Sequence, residues 1–197
     1  MIETIKKSVL GLSLLIGAAL PAHAELITFD IQWSGETFMN SATANGHLTI
    51  DSTMCAPEVV SCDIGSGITD FAVTVSGASD GNGSFIFGDF AFFVFSSVSA
   101  LDFNQELIGQ ELTNGCLFGT STGPCGDGEG GDFNAFGLIP TAPTGVYFFN
   151  LMTSGGEEML VTSMLNRGSV NVSSPAGVML FSMGLLAIGF ARKSKKA

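Results

Sequence analysis

Hydrophobic and polar residues alternate along several short segments in the middle of the chain. In residues 70–76 the apolar side chains of Phe71, Val73 and Val75 occupy every second position, with polar or small residues between them. A two-residue period places the apolar set on one face of a β-strand, so one face of the sheet is buried and the other meets water. Comparable patterns or β-branched content predict strands at residues 26–33, 46–51, 68–76, 84–87, 90–98, 146–152 and 159–165.

Turn-forming residues separate these strands, as at Asn45-Gly46 and Asn114-Gly115. Between the two ends of the chain no helix of three turns is predicted, and residues 104–111 are the best short candidate. Regular short strands with Gly-rich turns predict an all-β fold, specifically a β-sandwich with a jelly-roll-like arrangement. We place this domain at residues 25–170, a length that can bury one core.

The N-terminal segment has the pattern of a secretory signal peptide. Lys6 and Lys7 precede an apolar run at residues 9–20, and small residues follow at Ala22 and Ala24. This order of charge, apolar run and small residues is what signal peptidase requires. We therefore predict a signal peptide at residues 1–24, cleaved between Ala24 and Glu25.

A second apolar stretch, residues 175–191, carries no charge and is followed by the basic residues Arg192, Lys193, Lys195 and Lys196. At about 1.5 Å per residue a helix of this length reaches about 25 Å, close to the roughly 30 Å of a bilayer's hydrocarbon core. Basic residues favour the cytoplasmic side, so the pattern predicts a transmembrane helix with the body outside. A buried core helix, the alternative, would have a polar face, and this segment has only Ser182.

The tail, residues 171–197, resembles the PEP-CTERM sorting segment: Ser173-Ser174-Pro175, a short apolar helix and a terminal basic cluster. Pro175 matches the family's second proline, and Ser173 and Ser174 stand where the family has its first proline and its glutamate. The resemblance implies handling by an exosortase in a bacterium that makes extracellular polysaccharide. The body is also similar to one group of PEP-CTERM proteins of unknown function, at residues 33–35, 42–46, 70–77 and 131–136.

Charge is unevenly distributed along the chain. Of the 18 acidic residues all but Glu3 lie between Glu25 and Ser174, where Arg167 is the one lysine or arginine. Such an acidic body repels phosphate backbones, because affinity for nucleic acids depends on Lys and Arg. Nucleic-acid binding is therefore excluded as a function.

Four cysteines lie in the body: Cys55, Cys62, Cys116 and Cys125. An even number in an exported domain predicts two disulfides, for which three connectivities exist. Local pairing of Cys55 with Cys62 and of Cys116 with Cys125 is favoured, because each pair lies within one loop. A zinc site is the alternative, but neither pair has C-x-x-C spacing.

Residues 115–142 are rich in Gly, Pro and Thr and are predicted to form one long loop. The loop contains closely spaced oxygen ligands that suit calcium, the one cofactor that the sequence suggests: Asp127, Glu129, Asp132 and Asn134. The spacing does not match an EF-hand, and acidic Gly-rich turns are commonly only solvated.

The body lacks most residues on which enzyme chemistry depends. His47 is its one histidine, and the body has no lysine and no P-loop motif. A lone histidine is more often a surface residue than a catalytic one, because catalysis requires partners in geometry. Paired carboxylates could serve a glycosidase, but the sequence singles out no pair. We predict that the protein is not an enzyme.

Targeting and composition together predict an exported surface or extracellular-matrix protein with a structural or adhesive role, associated with exopolysaccharide or biofilm. Its expected partners are signal peptidase, an exosortase, the membrane during sorting and matrix components; its final location is the cell surface or the medium. The alternative is a carbohydrate-binding module or a carboxylate-based glycan-active enzyme, by analogy of fold. That alternative requires an exposed concave site with paired acids or a stacking aromatic such as Trp33 or Tyr147.

Overall fold

The computed structural model describes residues 24–52, 67–120, 125 and 128–172. One compact unit, Glu25–Val170, holds the fold. The described strands are β1 Ala24–Ser34, β2 Thr43–Asp51, β3 Ile68–Ser76, β4 Gly83–Ile86, β5 Phe90–Ser96, β6 Asp132–Gly137, β7 Thr144–Gly145, β8 Asn150–Met152 and β9 Glu158–Val172. Short 3-10 turns occur at Glu36–Phe38 and Phe87–Asp89. None of the helices in these described ranges has the length and apolarity that crossing a membrane demands.

Seven of the strands form one antiparallel sheet in the order β4-β3-β2-β1-β9-β8-β7, and the sheet curls into a half-barrel. The remaining two strands, β5 and β6, pair with each other in a small separate sheet. The first and last strands are neighbours in the middle of the large sheet, so strands that are far apart in sequence complete it.

The registers of β1, β2 and β3 explain the alternating sequence pattern. Phe29 is paired with Leu48, and Leu48 with Phe71, and all three side chains are fully buried. Residues one position away along each strand point to the opposite face, because side chains alternate across a pleated sheet. The large sheet therefore has an apolar inner face and a polar outer face.

Aromatic side chains connect the two sheets. The ring centroid of Phe71 in β3 lies 4.9 Å from that of Phe90, 5.0 Å from that of Phe93 and 6.4 Å from that of Phe133. Phe90 and Phe93 belong to β5 and Phe133 to β6, so Phe71 contacts both strands of the small sheet. Edge-to-face aromatic pairs are stabilising beyond the area that they bury. The small sheet thus covers the inner face of the large one.

The irregular segment between β5 and β6 is attached to β9 through Glu106. Its carboxylate accepts hydrogen bonds from the Met164 backbone N–H at 2.5 Å and from the Ser163 hydroxyl at 2.6 Å. The backbone N–H of Leu107, which is fully buried, donates to the Met164 carbonyl at 3.0 Å. These bonds satisfy backbone groups of β9 beyond the residues that pair with β8.

The all-β prediction is confirmed, and the predicted strands at the N-terminal side of the body match β1 to β5 closely. Residues 104–111, the best short helix candidate in the body, form turns instead. Asp102 accepts a hydrogen bond from the Asn104 backbone N–H at 3.0 Å, and Gln110 binds the Asp102 backbone N–H at 2.9 Å. Such side-chain bonds to the backbone compete with helix formation.

Two further boundaries differ from the sequence prediction. Strand β6 lies inside residues 115–142, which were predicted to be one loop. The predicted strand 146–152 is a strand only from Asn150, because Tyr147 to Asn150 forms a turn in which Phe149 has a positive φ of 62°. Ala24 and Glu25 begin β1, whereas the rest of the predicted signal peptide and residues 173–197 lie outside the described residues.

Removing the ring that joins the sheets should destabilise the fold strongly. We expect Phe71→Ala to lower the free energy of unfolding by about 3–5 kcal/mol, because it leaves a cavity between β3, β5 and β6. Ser76→Ala, at an exposed position of the same strand, is the control and should change it by about 0.5 kcal/mol or less. Urea unfolding of the two variants measures the difference, and equal effects would contradict the role given to Phe71.

Candidate functional site

A groove of about 330 Å³ crosses the outer face of the large sheet. Strands β1, β2, β3 and β9 line it. The side chains of Ile31 and Val73 are buried in the core, so at these positions the groove presents backbone. Ala72 also lines the groove, and its small side chain leaves space between the polar side chains around it. The polar side chains that line it are Asp30, Gln32, Asn45, His47, Thr74 and Arg167.

Gly46 fixes the spacing of the two strands under the groove. A methyl group at this position would overlap the carbonyl oxygen of Ala72 and approach the Cα of Val73 to 3.2 Å. Glycine inside a strand commonly marks a close approach of two backbones. Strands β2 and β3 therefore approach each other closely under the groove, and its floor is made of backbone and small side chains.

The charged groups of the groove are paired with one another. Arg167 in β9 forms an ion pair with Asp30 in β1, and the hydrogen bond from Arg167 to Asp30 raises the pKa of the guanidinium. His47 Nε2 lies 3.0 Å from Asp70 Oδ2, just outside the groove lining, and these side chains are 27% and 60% exposed. Exposed pairs contribute little to stability, about 0–1 kcal/mol. Among the residues that line the groove, Arg167 offsets the charge of Asp30, so the groove carries little net charge.

Uncharged hydrogen-bonding groups form a row beside these pairs. Gln32 is paired with Asn45, Asn45 with Thr74, and Thr74 with Ser84, from β1 to β4. All four side chains are exposed, and the Thr74 and Ser84 hydroxyls are 2.8 Å apart. The row offers amide and hydroxyl donors and acceptors to a ligand.

The residues predicted to bind calcium are only partly described. Asp127 lies outside the described residues, whereas Asp132 and Asn134 share one face of β6. Asn134 Nδ2 donates to Asp132 Oδ1 at 2.6 Å. The Glu129 carboxylate lies 3.9 Å from Cys116 Sγ. In the described parts of the chain, the one group of three or more candidate ligands is Cys116, Cys125 and Glu129, and its two sulfurs form a disulfide. Calcium binding stays a prediction.

The side-chain carboxyl of Asp132 has a pKa above its ordinary value. Burial raises its pKa from 3.8 to about 6, against hydrogen bonds from the Phe149 backbone and the Asn134 side chain that lower it. Asn134 is 5% exposed, and its Oδ1 has no hydrogen-bond partner within the described ranges. A Cβ on Gly145 would lie 2.7 Å from this oxygen, so the amide packs directly on β7.

The predicted disulfide between Cys116 and Cys125 is confirmed, with a Cα–Cα distance of 5.7 Å. Both cysteines are buried, and the bridge closes part of the segment that precedes β6. Cys55 and Cys62 lie outside the described residues, so their pairing stays a prediction.

The aromatic residues proposed for sugar stacking have different environments. Trp33 is 2% exposed, and its ring centroid lies 6.2 Å from that of Phe133, so the suggestion that Trp33 stacks on a sugar is wrong. Its position in β1 has the same parity as Phe29 and Ile31, which face the core. Tyr147 is 64% exposed and remains accessible to a ligand.

Sequence reasoning missed the groove, although it identified His47 and Arg167 as unusual. Both lie in or beside the groove, yet they are far apart in the sequence, in β2 and β9. Their proximity depends on the place of β9 next to β1, which no local pattern encodes. Comparisons with known proteins gave no match: no protein-family model, no curated protein and no solved structure matches this chain.

The raised pKa of Asp132 predicts a specific pH dependence. The folded state holds this proton more tightly than the unfolded chain, so its stabilising contribution is complete below pH 3.8 and is lost as pH rises through about 6. We expect the free energy of unfolding of the wild type to fall between about pH 5 and about pH 7.5, and to fall less for Asp132→Asn. Urea unfolding across this range measures both curves; parallel curves would contradict the assignment.

The pH range begins at about 5 because a second carboxyl, that of Glu157, changes the stability in the opposite direction at lower pH. Hydrogen bonds from Ser79 and Thr153 lower the pKa of Glu157 from 4.5 to about 2. The stability that Glu157 contributes is present above pH 4.5 and is lost as pH falls towards 2. Glu157→Gln is therefore the matched control, and its stability difference from the wild type should stay constant above about pH 5.

Removing the disulfide should destabilise the fold moderately. The two cysteines are separated by 9 positions, and closing a loop of this size stabilises by about 2.7 kcal/mol in the chain-entropy model. We expect the double variant Cys116→Ser, Cys125→Ser to lose about 2–3 kcal/mol of unfolding free energy. Non-reducing peptide mapping provides the control for connectivity. A link from Cys116 to Cys55 or Cys62, or an unchanged stability, would contradict this prediction.

Proposed function

We propose that the protein is exported and retained at the cell envelope, and that it serves there as a structural or adhesive component of the surface or matrix. The observation that carries the proposal is the Cys116–Cys125 disulfide. Structural disulfides form and persist in oxidising compartments outside the cytoplasm. The disulfide therefore supports the location that the signal-like N-terminus and the apolar tail predict.

The body's surface also supports a role outside the cell. The outer face of the large sheet is polar, and the charge of the body is strongly negative. A net charge far from zero keeps a protein soluble and disfavours binding to nucleic acids. In this proposal signal peptidase and an exosortase process the two ends, and the tail holds the protein at the inner membrane during sorting.

The architecture that we propose for this role is a jelly-roll-like β-sandwich between a signal peptide and a C-terminal transmembrane helix. The curled sheet packed against a small sheet supports it, since two sheets share one core. Such a scaffold presents broad faces rather than a deep cleft, which suits attachment to extended polymers or neighbouring proteins.

Deleting residues 173–197 tests retention and leaves β9 intact, because β9 ends at Val172. We expect the full chain in the membrane fraction or on the cell surface and the truncated chain in the medium, since an uncharged apolar helix of about 25 Å is close to the thickness of the hydrocarbon core and holds a protein in the bilayer. Fractionation with immunoblotting in an exosortase-containing host measures the distribution.

Two measurements make the deletion interpretable. Non-reducing mass spectrometry should find Cys116 linked to Cys125 in the truncated chain, which shows that it passed through an oxidising compartment and folded. Terminal sequencing should find Glu25 at the N-terminus of both forms. The proposal fails if the full chain stays in the cytosol with reduced thiols, or if the truncated chain stays in the membrane.

A further inference from the structure

We propose that the groove on the outer face of the large sheet binds a neutral glycan chain. The recognising groups are the side-chain amides of Gln32 and Asn45 and the hydroxyl of Thr74, with Arg167 at one end. This inference deepens the proposed function and rests on it only for where the glycan is met, which is outside the cell.

The amides are free to bind a ligand. Within the described ranges neither the Gln32 nor the Asn45 side chain hydrogen-bonds to any other protein group, although both line the groove. Each amide supplies two donors and one acceptor oxygen. A polyhydroxylated ligand presents donors and acceptors alternately along its edge, and adjacent amides on neighbouring strands match that alternation.

The charge balance selects a neutral ligand. Arg167 is paired with Asp30, and His47 Nε2 lies 3.0 Å from the Asp70 carboxylate, so an anionic ligand at either side chain would meet a competing carboxylate. The body around the groove is strongly acidic. A sulfated or uronic-acid chain would be repelled by the surrounding field, whereas a neutral sugar is not. Arg167 keeps N–H donors beyond the one bonded to Asp30, because a guanidinium has several.

The dimensions suit a short stretch of sugar chain. The volume of about 330 Å³ lies at the lower end of the range for ligand sites, about 300–1,000 Å³. Adjacent strands are about 4.8 Å apart, so the row from Gln32 to Ser84 spans about 14 Å across four strands. The distance between strands is similar to the width of one pyranose ring, which lets successive rings meet successive strands.

A small apolar strip lies next to the polar row. Ala72 on the groove floor is paired with Ile86 of β4, which is 64% exposed. The C–H face of a sugar ring packs on such aliphatic groups while its hydroxyls reach the amides. A peptide with large apolar side chains fits less well, because Ile31 and Val73 turn their side chains into the core and leave no deep apolar pocket.

Binding is tested with the full chain purified from whole-cell extracts in a mild detergent, whichever cell fraction holds it. The probes are six-unit glucose, galactose and mannose oligosaccharides, with a six-unit galacturonate oligomer as the anionic probe, and calorimetry measures Kd. We expect the wild type to bind at least one neutral probe. Asn45→Ala should raise its Kd about tenfold, since one removed hydrogen-bonding group typically costs that factor. Ala72→Gln, which fills the floor, should abolish binding.

Thr43→Ala is the matched control, because Thr43 is an exposed residue of the same strand outside the groove. It should leave Kd unchanged. Asn45→Ala should melt like the wild type, since its amide makes no bond within the fold, so weaker binding would not reflect unfolding. The inference is overturned if no neutral probe binds, if only galacturonate binds, or if Asn45→Ala binds like Thr43→Ala.

The glycan-binding test and the envelope-retention test can succeed or fail independently of each other. Glycan binding by the purified chain does not depend on where the cell sends it, and envelope retention does not depend on Asn45. A chain that binds a neutral glycan in vitro but remains in the cytosol would refute the location alone. A retained chain with no glycan affinity would refute the groove assignment alone.

Discussion

The packing of the Phe71 ring against the small sheet is the contact on which the rest of the structure depends. A curled sheet with one apolar face is stable only when that face is covered. Phe90, Phe93 and Phe133 provide the cover from β5 and β6, and their rings meet Phe71 within 6.4 Å, centroid to centroid. Because the core is built from the inner face alone, the outer face is free to carry polar chemistry.

That freedom accounts for the groove. Apart from Ala72, the side chains of β1, β2 and β3 that line the groove are amides, hydroxyls and charged or imidazole groups, and Gly46 lets two strands approach closely between them. A substitution on the outer face disturbs little core packing. The polar residues of the row can therefore be exchanged without altering the scaffold that carries them. One face packs in the core and the other carries polar groups because successive side chains of a pleated strand point to opposite faces.

The segment between β5 and β6 shows a different way of ordering a chain. Its described residues form turns and one isolated β-bridge, yet Leu107 and Phe118 in it are fully buried. The Cys116–Cys125 disulfide and the Glu106 carboxylate fix this segment locally and to β9. Cross-links and buried hydrogen bonds therefore replace the repeating backbone bonds that order the strands. Asp132 then begins β6 in a partly buried setting that raises its pKa.

The sequence by itself determined the all-β class, most strand positions in β1 to β5 and the Cys116–Cys125 pair, because two-residue periodicity and loop position are local properties. It placed β6 inside a loop, although pairing with β5 makes it a strand, and its best short helix candidate, residues 104–111, forms turns held by side-chain hydrogen bonds. Only the tertiary structure buried Trp33 and brought Arg167 beside Asp30. Both results depend on which strands become neighbours, and the long-range pairing of β9 with β1 is encoded in no single segment of the chain.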